Sequence, residues 1–223
     1  MKRTIIIIGI MIISTASAFS QLAFGVLLGS STPNNKVNEV YNNQSITDIE
    51  GFINKGTKTG YHILAKLRFP MSENLTFVGG FGWHRFPESY FDVIAPGTDE
   101  ESKITLSTVQ NVFPVSAGLN LYLVRSLISV YGTGELNYNY ISNTVDVVRN
   151  DLSIPLNLNK TPNDSRVGFG LGAGVDLDLV IFNANIEAKY NMLNLIGKES
   201  GEPTKAYYTL SVGIFFGSSK PSN

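Results

Sequence analysis

The sequence contains no cysteine among its 223 residues. Disulfide bonds, thiolate metal sites and a lipid-modified N-terminal cysteine are therefore excluded. Charge is also sparse and nearly balanced, with 17 basic and 18 acidic residues, and histidine occurs only twice. This balance gives no sign of a nucleic-acid partner. The fold must be held by backbone hydrogen bonds and side-chain packing alone.

The chain also lacks an apolar run of the roughly 20 residues that a membrane-spanning helix needs. Its most apolar stretch, 5–13, follows Lys2 and Arg3 and precedes Ala16 and Ala18. This order is typical of a secretory signal peptide, and we predict that segment 1–18 is cleaved after its last residue. A retained transmembrane helix is the alternative, which the short run disfavours. Loss of Lys2 and Arg3 from the 17 basic residues leaves a net charge of about −3.

What the chain has in abundance is alternation of apolar and polar residues. Apolar side chains occupy every second position from Leu210 to Phe216, for example. Period two is that of β-strands, and eight segments show it. They are 22–31, 60–69, 75–86, 108–123, 128–141, 167–179, 182–192 and 206–216. Each reaches the roughly 9–11 residues that a tilted transmembrane strand requires.

The connections between these segments alternate between short and long. The short ones are 70–74, 124–127 and 180–181, and the long polar ones are 32–59, 87–107, 142–166 and 194–205. Outer-membrane barrels combine tight periplasmic turns with long external loops. We therefore predict an all-β fold, an eight-stranded antiparallel up-and-down transmembrane β-barrel spanning 19–216. The predicted location is the bacterial outer membrane, with both termini periplasmic and 217–223 as a short periplasmic tail. A soluble lipocalin-like barrel, with the two faces exchanged, is an alternative.

The polar positions of these segments predict the contents of the lumen. The inward charged and polar residues are Lys66, Arg68, His84, Glu135, Asp176, Asp178, Glu187 and Lys189. An eight-stranded barrel is only wide enough for side chains to fill its interior. We therefore interpret these residues as a plug of hydrogen-bonded ion pairs. The alternative is a narrow path for solutes or ions, for which the inward glycines between 168 and 174 would leave room.

Aromatic residues fall at two heights on the predicted outer face. Tyr61, Trp83, Phe113, Tyr138, Tyr140, Tyr190 and Tyr208 lie near the external rim, whereas Phe69, Phe77 and Phe216, with Phe24 and Phe182, lie near the periplasmic rim. Two such girdles are typical of transmembrane barrels. A general preference of aromatic residues for strands explains their number but not their two heights.

Three stretches and the closing strand carry a resemblance to a known family. The stretches are FPVSAGLNLYL (113–123), VYGTGELNYNY (130–140) and VGFGLGAGVDLD (167–178), and the closing strand ends at Phe216. The chain resembles the small outer-membrane β-barrel proteins of OmpX/OmpA type, also called porin family proteins, over its whole mature length. The resemblance implies contact with outer-membrane lipid and lipopolysaccharide, and insertion by the barrel-assembly machinery that reads a terminal Phe. Here seven residues follow Phe216, and no peptidoglycan-binding domain follows, which departs from the longer members.

The sequence offers weak signals for catalysis or metal binding. Lipid-modifying chemistry at the rim needs a nucleophile paired with a histidine base, and neither His62 nor His84 has a recognisable nucleophile spacing. The acidic run 99–101 lacks the alternating ligands of a calcium loop. We therefore expect no enzyme, cofactor or metal site.

Three functions follow from these observations. The first is a non-enzymatic surface scaffold whose external loops contact an unidentified ligand. The second is a low-conductance porin for small solutes or ions, and the third, least favoured, is a rim enzyme that modifies lipid.

Overall fold

The computed structural model describes residues 22–34, 59–94, 103–149, 152–155, 164–179, 181–198 and 204–217. The predicted signal peptide, the acidic run 99–101 and most of the predicted tail lie outside these residues. Within the described ranges, no helix has the length and apolar character that crossing a membrane would take.

The described strands are numbered in chain order. They are β1 (Ala23–Pro33), β2 (Gly60–Pro70), β3 (Leu75–Ile94), β4 (Lys103–Val124), β5 (Ile128–Arg149), β6 (Leu152–Pro155), β7 (Asp164–Asp178), β8 (Asn183–Ile196) and β9 (Ala206–Phe216). All but β6 pair antiparallel with the preceding and following barrel strand, and β9 pairs with β1, Phe216 opposite Phe24. The predicted eight-stranded up-and-down barrel is therefore confirmed for the described part of the chain. The short β6 pairs with the end of β5, at Asp146–Arg149.

Alternation along each strand separates a polar inside from an apolar outside. In β2 the side chains of His62, Lys66 and Arg68 are buried in the lumen, while Tyr61 and Leu67 are exposed on the outer surface. The same pattern holds in β8 and β9. A soluble barrel needs the opposite arrangement, because its apolar face must leave water. The lipocalin-like alternative is therefore wrong.

The two ends of the barrel differ in their connections. At one end, which we call the short-turn end, β2 is joined to β3 by 71–74, β4 to β5 by 125–127, and β7 to β8 by 179–182. The first of these turns is closed by bonds from the N–H groups of Met71 and Ser72 to the carbonyl of Leu75. The longer connections lie at the opposite end, which we call the long-connection end.

Most strands extend further at the long-connection end than the sequence predicted, and β3, β4 and β5 extend the most. β3 runs to Ile94, β4 begins at Lys103 and β5 runs to Arg149, so parts of the predicted loops 87–107 and 142–166 are strand. The predicted segment ended at Phe86, before Pro87, and a proline has no N–H to donate to a neighbouring strand. In the structure the register shifts between Phe86 and Ser89, and this bulge accommodates the proline. The greater lengths of β3, β4 and β5 do not change the predicted number or order of the barrel strands.

Most of the aromatic residues predicted for the two girdles are exposed on the outer surface, and Trp83, Phe113, Phe182 and Tyr190 are partly so. Near the long-connection end the rings of Tyr61 and Trp83 meet edge to face at 5.8 Å, and those of Tyr190 and Tyr208 lie 5.3 Å apart. Phe113 and Tyr140 form a third pair there. Near the short-turn end Phe69 is opposite Phe77 and Phe24 is opposite Phe216.

Candidate functional site

The centre of the lumen contains four charged side chains, which we call the central ion-pair cluster: Lys66, Glu135, Glu187 and Lys189. Lys66 Nζ lies 2.8 Å from Glu135 Oε1 and 2.7 Å from Glu187 Oε1. Lys189 Nζ lies 2.9 Å from Glu135 Oε2 and 3.6 Å from Glu187 Oε1. The residues come from β2, β5 and β8, so the cluster crosses the lumen. Two ammonium groups and two carboxylates compensate each other in a buried site.

A second group of polar residues, the arginine cluster, lies nearer the short-turn end. It consists of Arg68, Asp176, Tyr122, Tyr131 and Asn185. Arg68 Nη1 donates to both carboxylate oxygens of Asp176, at 3.0 and 2.9 Å, and such charge-assisted hydrogen bonds are stronger than neutral ones. Tyr122 OH and Asn185 Nδ2 also donate to this carboxylate, at 2.9 and 2.7 Å. The guanidinium carbon of Arg68 stands 3.6 Å from the ring centroid of Phe215.

Tyr131 connects the two clusters. Its hydroxyl accepts a hydrogen bond from Arg68 Nη2 at 3.0 Å and donates one to Glu187 Oε2 at 2.9 Å. The ring also fills the space above Gly174, where an added Cβ would come within 2.3 Å of it. Strand β7 is therefore shaped around this tyrosine, and the inward glycine at 174 leaves no room for a path there.

A third group, the histidine layer, lies nearer the long-connection end. It consists of Ser31, His62, His84, Tyr207 and Ser211. Ser31 Oγ lies 2.9 Å from His62 Nδ1 and 2.8 Å from His84 Nδ1. His62 Nε2 lies 2.8 Å from Ser211 Oγ, and His84 Nε2 lies 3.4 Å from the hydroxyl of Tyr207. The imidazole rings have centroids 4.9 Å apart.

The structure distributes the eight predicted lumen residues among these groups. Six of them form the ion pairs of the central and arginine clusters, and His84 belongs to the histidine layer. Asp178 lies at the last position of β7, half-buried beside the short turn, where its N–H donates to the carbonyl of Leu127. Ser31, Ser211 and Asn185 are members of these groups that were not predicted from the sequence. The alternation along each strand marks them as inward-facing, but their partners lie on strands far away in the sequence.

An apolar cluster covers the histidine layer at the long-connection end. It is formed by the buried side chains of Phe86, Val112, Ile141, Leu193 and Tyr207. Ser31 and His62 are 0% and 1% exposed beneath it. A serine hydrogen-bonded to histidine can be activated as a nucleophile. In the described part of the chain, however, this serine is enclosed, so a lipid substrate at the rim does not reach it.

A small cavity lies beside the central ion-pair cluster. Gly80 and Gly82 of β3, Ser116 of β4 and Asn137 of β5 contribute to its lining, and about 20 Å³ is open to the centre of a water molecule. This volume suits one or two waters but is far smaller than a continuous pore. Among the described residues, no group of three histidine or carboxylate side chains is placed to hold a metal ion.

Comparison with known proteins identifies the family. The sequence model for the outer membrane protein beta-barrel domain matches residues 6–216. No curated protein sequence matches the chain.

Solved structures of similar fold include neisserial surface protein A, at 14% identity over 87% of this chain and 95% of that one, with a TM-score of 0.45. Ail, the attachment invasion locus protein of Yersinia pestis, is 11% identical over 87% and 96%, with a TM-score of 0.39. The translocator domain of the autotransporter NalP from Neisseria meningitidis is 11% identical over 87% and 86%, with a TM-score of 0.33. The family match covers every strand of the barrel, and the chain therefore belongs to the outer membrane protein β-barrel domain family.

Proposed function

We propose that this protein is a non-enzymatic, non-conducting outer-membrane scaffold that presents its long connections to the cell surroundings. The observation that carries this proposal is the central ion-pair cluster. It joins β2 to β5 and β8 across the lumen through contacts of 2.7–2.9 Å. With the lumen closed, the long connections remain as the part of the barrel available for contact with a surface ligand.

Two further groups reinforce the closure of the lumen. The arginine cluster lies on the short-turn side of the central ion-pair cluster, and the histidine layer with its apolar cover lies on the other side. A passing ion would have to separate buried charge pairs, which costs several kcal/mol when one partner is left unpaired. The three groups therefore favour a plug over a path.

A low-conductance pore is the second candidate, because the cavity beside Gly80 and Gly82 interrupts the packing. Planar-bilayer recording separates the two candidates. We expect the refolded mature protein, shown to be folded by its heat-modifiable gel migration, to give no reproducible current steps. Steps whose size or ion selectivity changes in Glu135→Gln or Lys66→Met would establish the pore and refute the plug.

Orientation in the membrane is the second element of the proposal, with the long connections outside and the short turns in the periplasm. Because the chain has no cysteine, a single introduced cysteine can be labelled without background from other thiols of the protein. We expect a membrane-impermeant maleimide to label Lys198→Cys on intact cells and to label Ser72→Cys only after the outer membrane is opened. The reverse pattern would show that the barrel is inverted.

The surroundings of the barrel are proposed to be outer-membrane lipid and lipopolysaccharide, since two aromatic belts frame its apolar outer surface. Insertion by the barrel-assembly machinery belongs to the same proposal. A rim enzyme would alter lipid composition. Expression of the wild type and of His62→Gln/His84→Gln should leave identical lipid A and phospholipid masses, whereas a histidine-dependent mass change would establish an enzyme.

A further inference from the structure

The hydrogen bonds of Ser31 constrain the two histidines of the histidine layer. Its Oγ is within hydrogen-bond distance of both Nδ1 atoms, at 2.9 Å for His62 and 2.8 Å for His84. A hydroxyl carries one proton, so it donates to only one of these nitrogens. The other nitrogen must donate to the hydroxyl oxygen. Two neutral rings therefore carry their protons on different nitrogens, one on Nδ1 and the other on Nε2.

The outer contacts of the rings fit this assignment. If Tyr207 OH donates to His84 Nε2, then His84 Nδ1 donates to Ser31, Ser31 donates to His62 Nδ1, and His62 Nε2 donates to Ser211. The reverse direction satisfies every contact as well. A proton added to one ring is accommodated when the hydroxyl at that ring's Nε2, of Ser211 or Tyr207, turns to accept, whereas two imidazolium rings aim both Nδ1–H groups at Ser31 Oγ.

We propose that the histidine layer is an acid-sensitive latch, closed when both rings are neutral and weakened when one ring takes up a proton. Ser31 lies on β1, His62 on β2, His84 on β3, and Tyr207 and Ser211 on β9. The latch thus ties β2 and β3 to β9, with which neither of them pairs in the sheet. Any added proton places a positive charge in a buried site, and protonation of both rings also points two Nδ1–H groups at the Ser31 oxygen.

Among the described residues, no carboxylate is in hydrogen-bond contact with either imidazole. Lys66 of β2 and Lys189 of β8 face the same lumen, with Glu135 of β5 and Glu187 of β8. The two lysines already balance the two glutamates, so no surplus carboxylate is left for an imidazolium. Tyr207 of β9 is neutral and approaches His84 through its hydroxyl.

Nitrogen NMR of the imidazoles in the folded protein tests the assignment directly. At pH 8 we expect one ring to show its proton on Nδ1 and the other on Nε2, with both resonances absent from the corresponding glutamine variants. Two rings with the proton on the same nitrogen would overturn the proposal, and this measurement needs only the wild-type chain.

The pH dependence of unfolding tests the latch itself. In the unfolded chain the histidines take up protons from water below about pH 6.5, whereas in the closed layer each proton is a buried charge, so we expect stability to fall as the pH falls through that range. Between pH 7.5 and 5.5 we expect the thermal midpoint in detergent to fall by about 4 °C or more in the wild type. His62→Gln/His84→Gln keeps every carboxylate and should lose this fall.

Thr133→Val is the matched control, because it changes a lumen hydroxyl outside the histidine layer. It should keep the wild-type pH dependence. An equal fall in the wild type and the double variant would assign the effect to the carboxylates and overturn the latch. If the double variant does not refold, His84→Gln alone gives the same comparison.

Discussion

At the scale of single residues, the lumen shows how charged side chains are accommodated inside a narrow barrel. Arg68 is 0% exposed, yet its guanidinium donates to the Asp176 carboxylate and to the Tyr131 hydroxyl and lies over the Phe215 ring. Buried charge is costly unless it is paired and hydrogen-bonded. The arginine cluster meets this condition, so its stability depends on its members remaining together.

We predict that Arg68→Ala lowers the free energy of unfolding by about 3–5 kcal/mol, because Asp176 keeps its charge in a buried site without its main partner. Urea unfolding of the barrel in lipid vesicles, followed by tyrosine and tryptophan fluorescence, measures the change.

The matched control removes both charges. Arg68→Met/Asp176→Leu leaves no unpaired charge, so it should recover a large part of the lost stability. An unchanged unfolding midpoint in Arg68→Ala would mean that water reaches Asp176 and that the lumen is wet at this level.

The sequence did not predict which of the lumen residues contact each other. Inward parity identified Lys66, Glu135 and Glu187 as lumen residues, since side chains on a strand alternate between two faces. Pairing depends on the stagger of the barrel, which brings Lys66 to residues 69 and 121 positions away in the chain. The Ser31 contacts were missed for the same reason, because neither histidine is near it in sequence.

At the scale of strands, β7 and β5 carry glycines that face opposite sides of the wall. Gly174 faces the lumen, where an added Cβ would come within 2.3 Å of the Tyr131 ring. Gly134 faces outward, where the nearest atom to an added Cβ is 3.6 Å away on Leu171. The same substitution therefore has different physical consequences on the two strands.

We predict that Gly174→Ala destabilises the barrel by about 1–3 kcal/mol, because Tyr131 must move away from Arg68 and Glu187. Gly134→Ala should be neutral or stabilising by up to about 1 kcal/mol, since alanine reduces the freedom of the unfolded chain without a clash. Parallel urea titrations compare the two variants. Equal destabilisation would show that side chains in the lumen make room for a methyl group as easily as those on the lipid side.

The strand cores were predictable to within a few residues because alternation marks them. The closing strand matches its predicted range 206–216, and β2 differs only by Pro70 at its end. The extensions of β3 and β5 were missed because the polar stretches 87–107 and 142–166 were interpreted as loops. The bulge at Pro87 shows how a proline is tolerated without ending the strand.

At the scale of the whole molecule, the barrel is apolar outside and polar inside. Leu136, Ile186 and Val212 are 65%, 56% and 56% exposed on the outer surface, whereas the charged side chains of the central ion-pair cluster are buried. Exposed apolar side chains cover most of the outer surface of the strands, and such a surface requires lipid around it. We expect the aromatic belts to mark where lipid gives way to headgroups and water.

Trp83 is the only tryptophan of the chain, so its fluorescence reports the position of one belt without modification. It lies on the outer side of β3, against Tyr61, with its indole N–H donating to Asn111. We predict a tryptophan emission that is quenched most by lipids brominated near the headgroup, because aromatic belts sit at the membrane interface. Phe81→Trp/Trp83→Phe moves the indole about 7 Å along the strand toward the middle of the membrane. In this variant, quenching should shift to bromines deeper in the acyl chain. If no brominated lipid quenched either protein, the outer face would not contact lipid, and the membrane-spanning arrangement would be refuted.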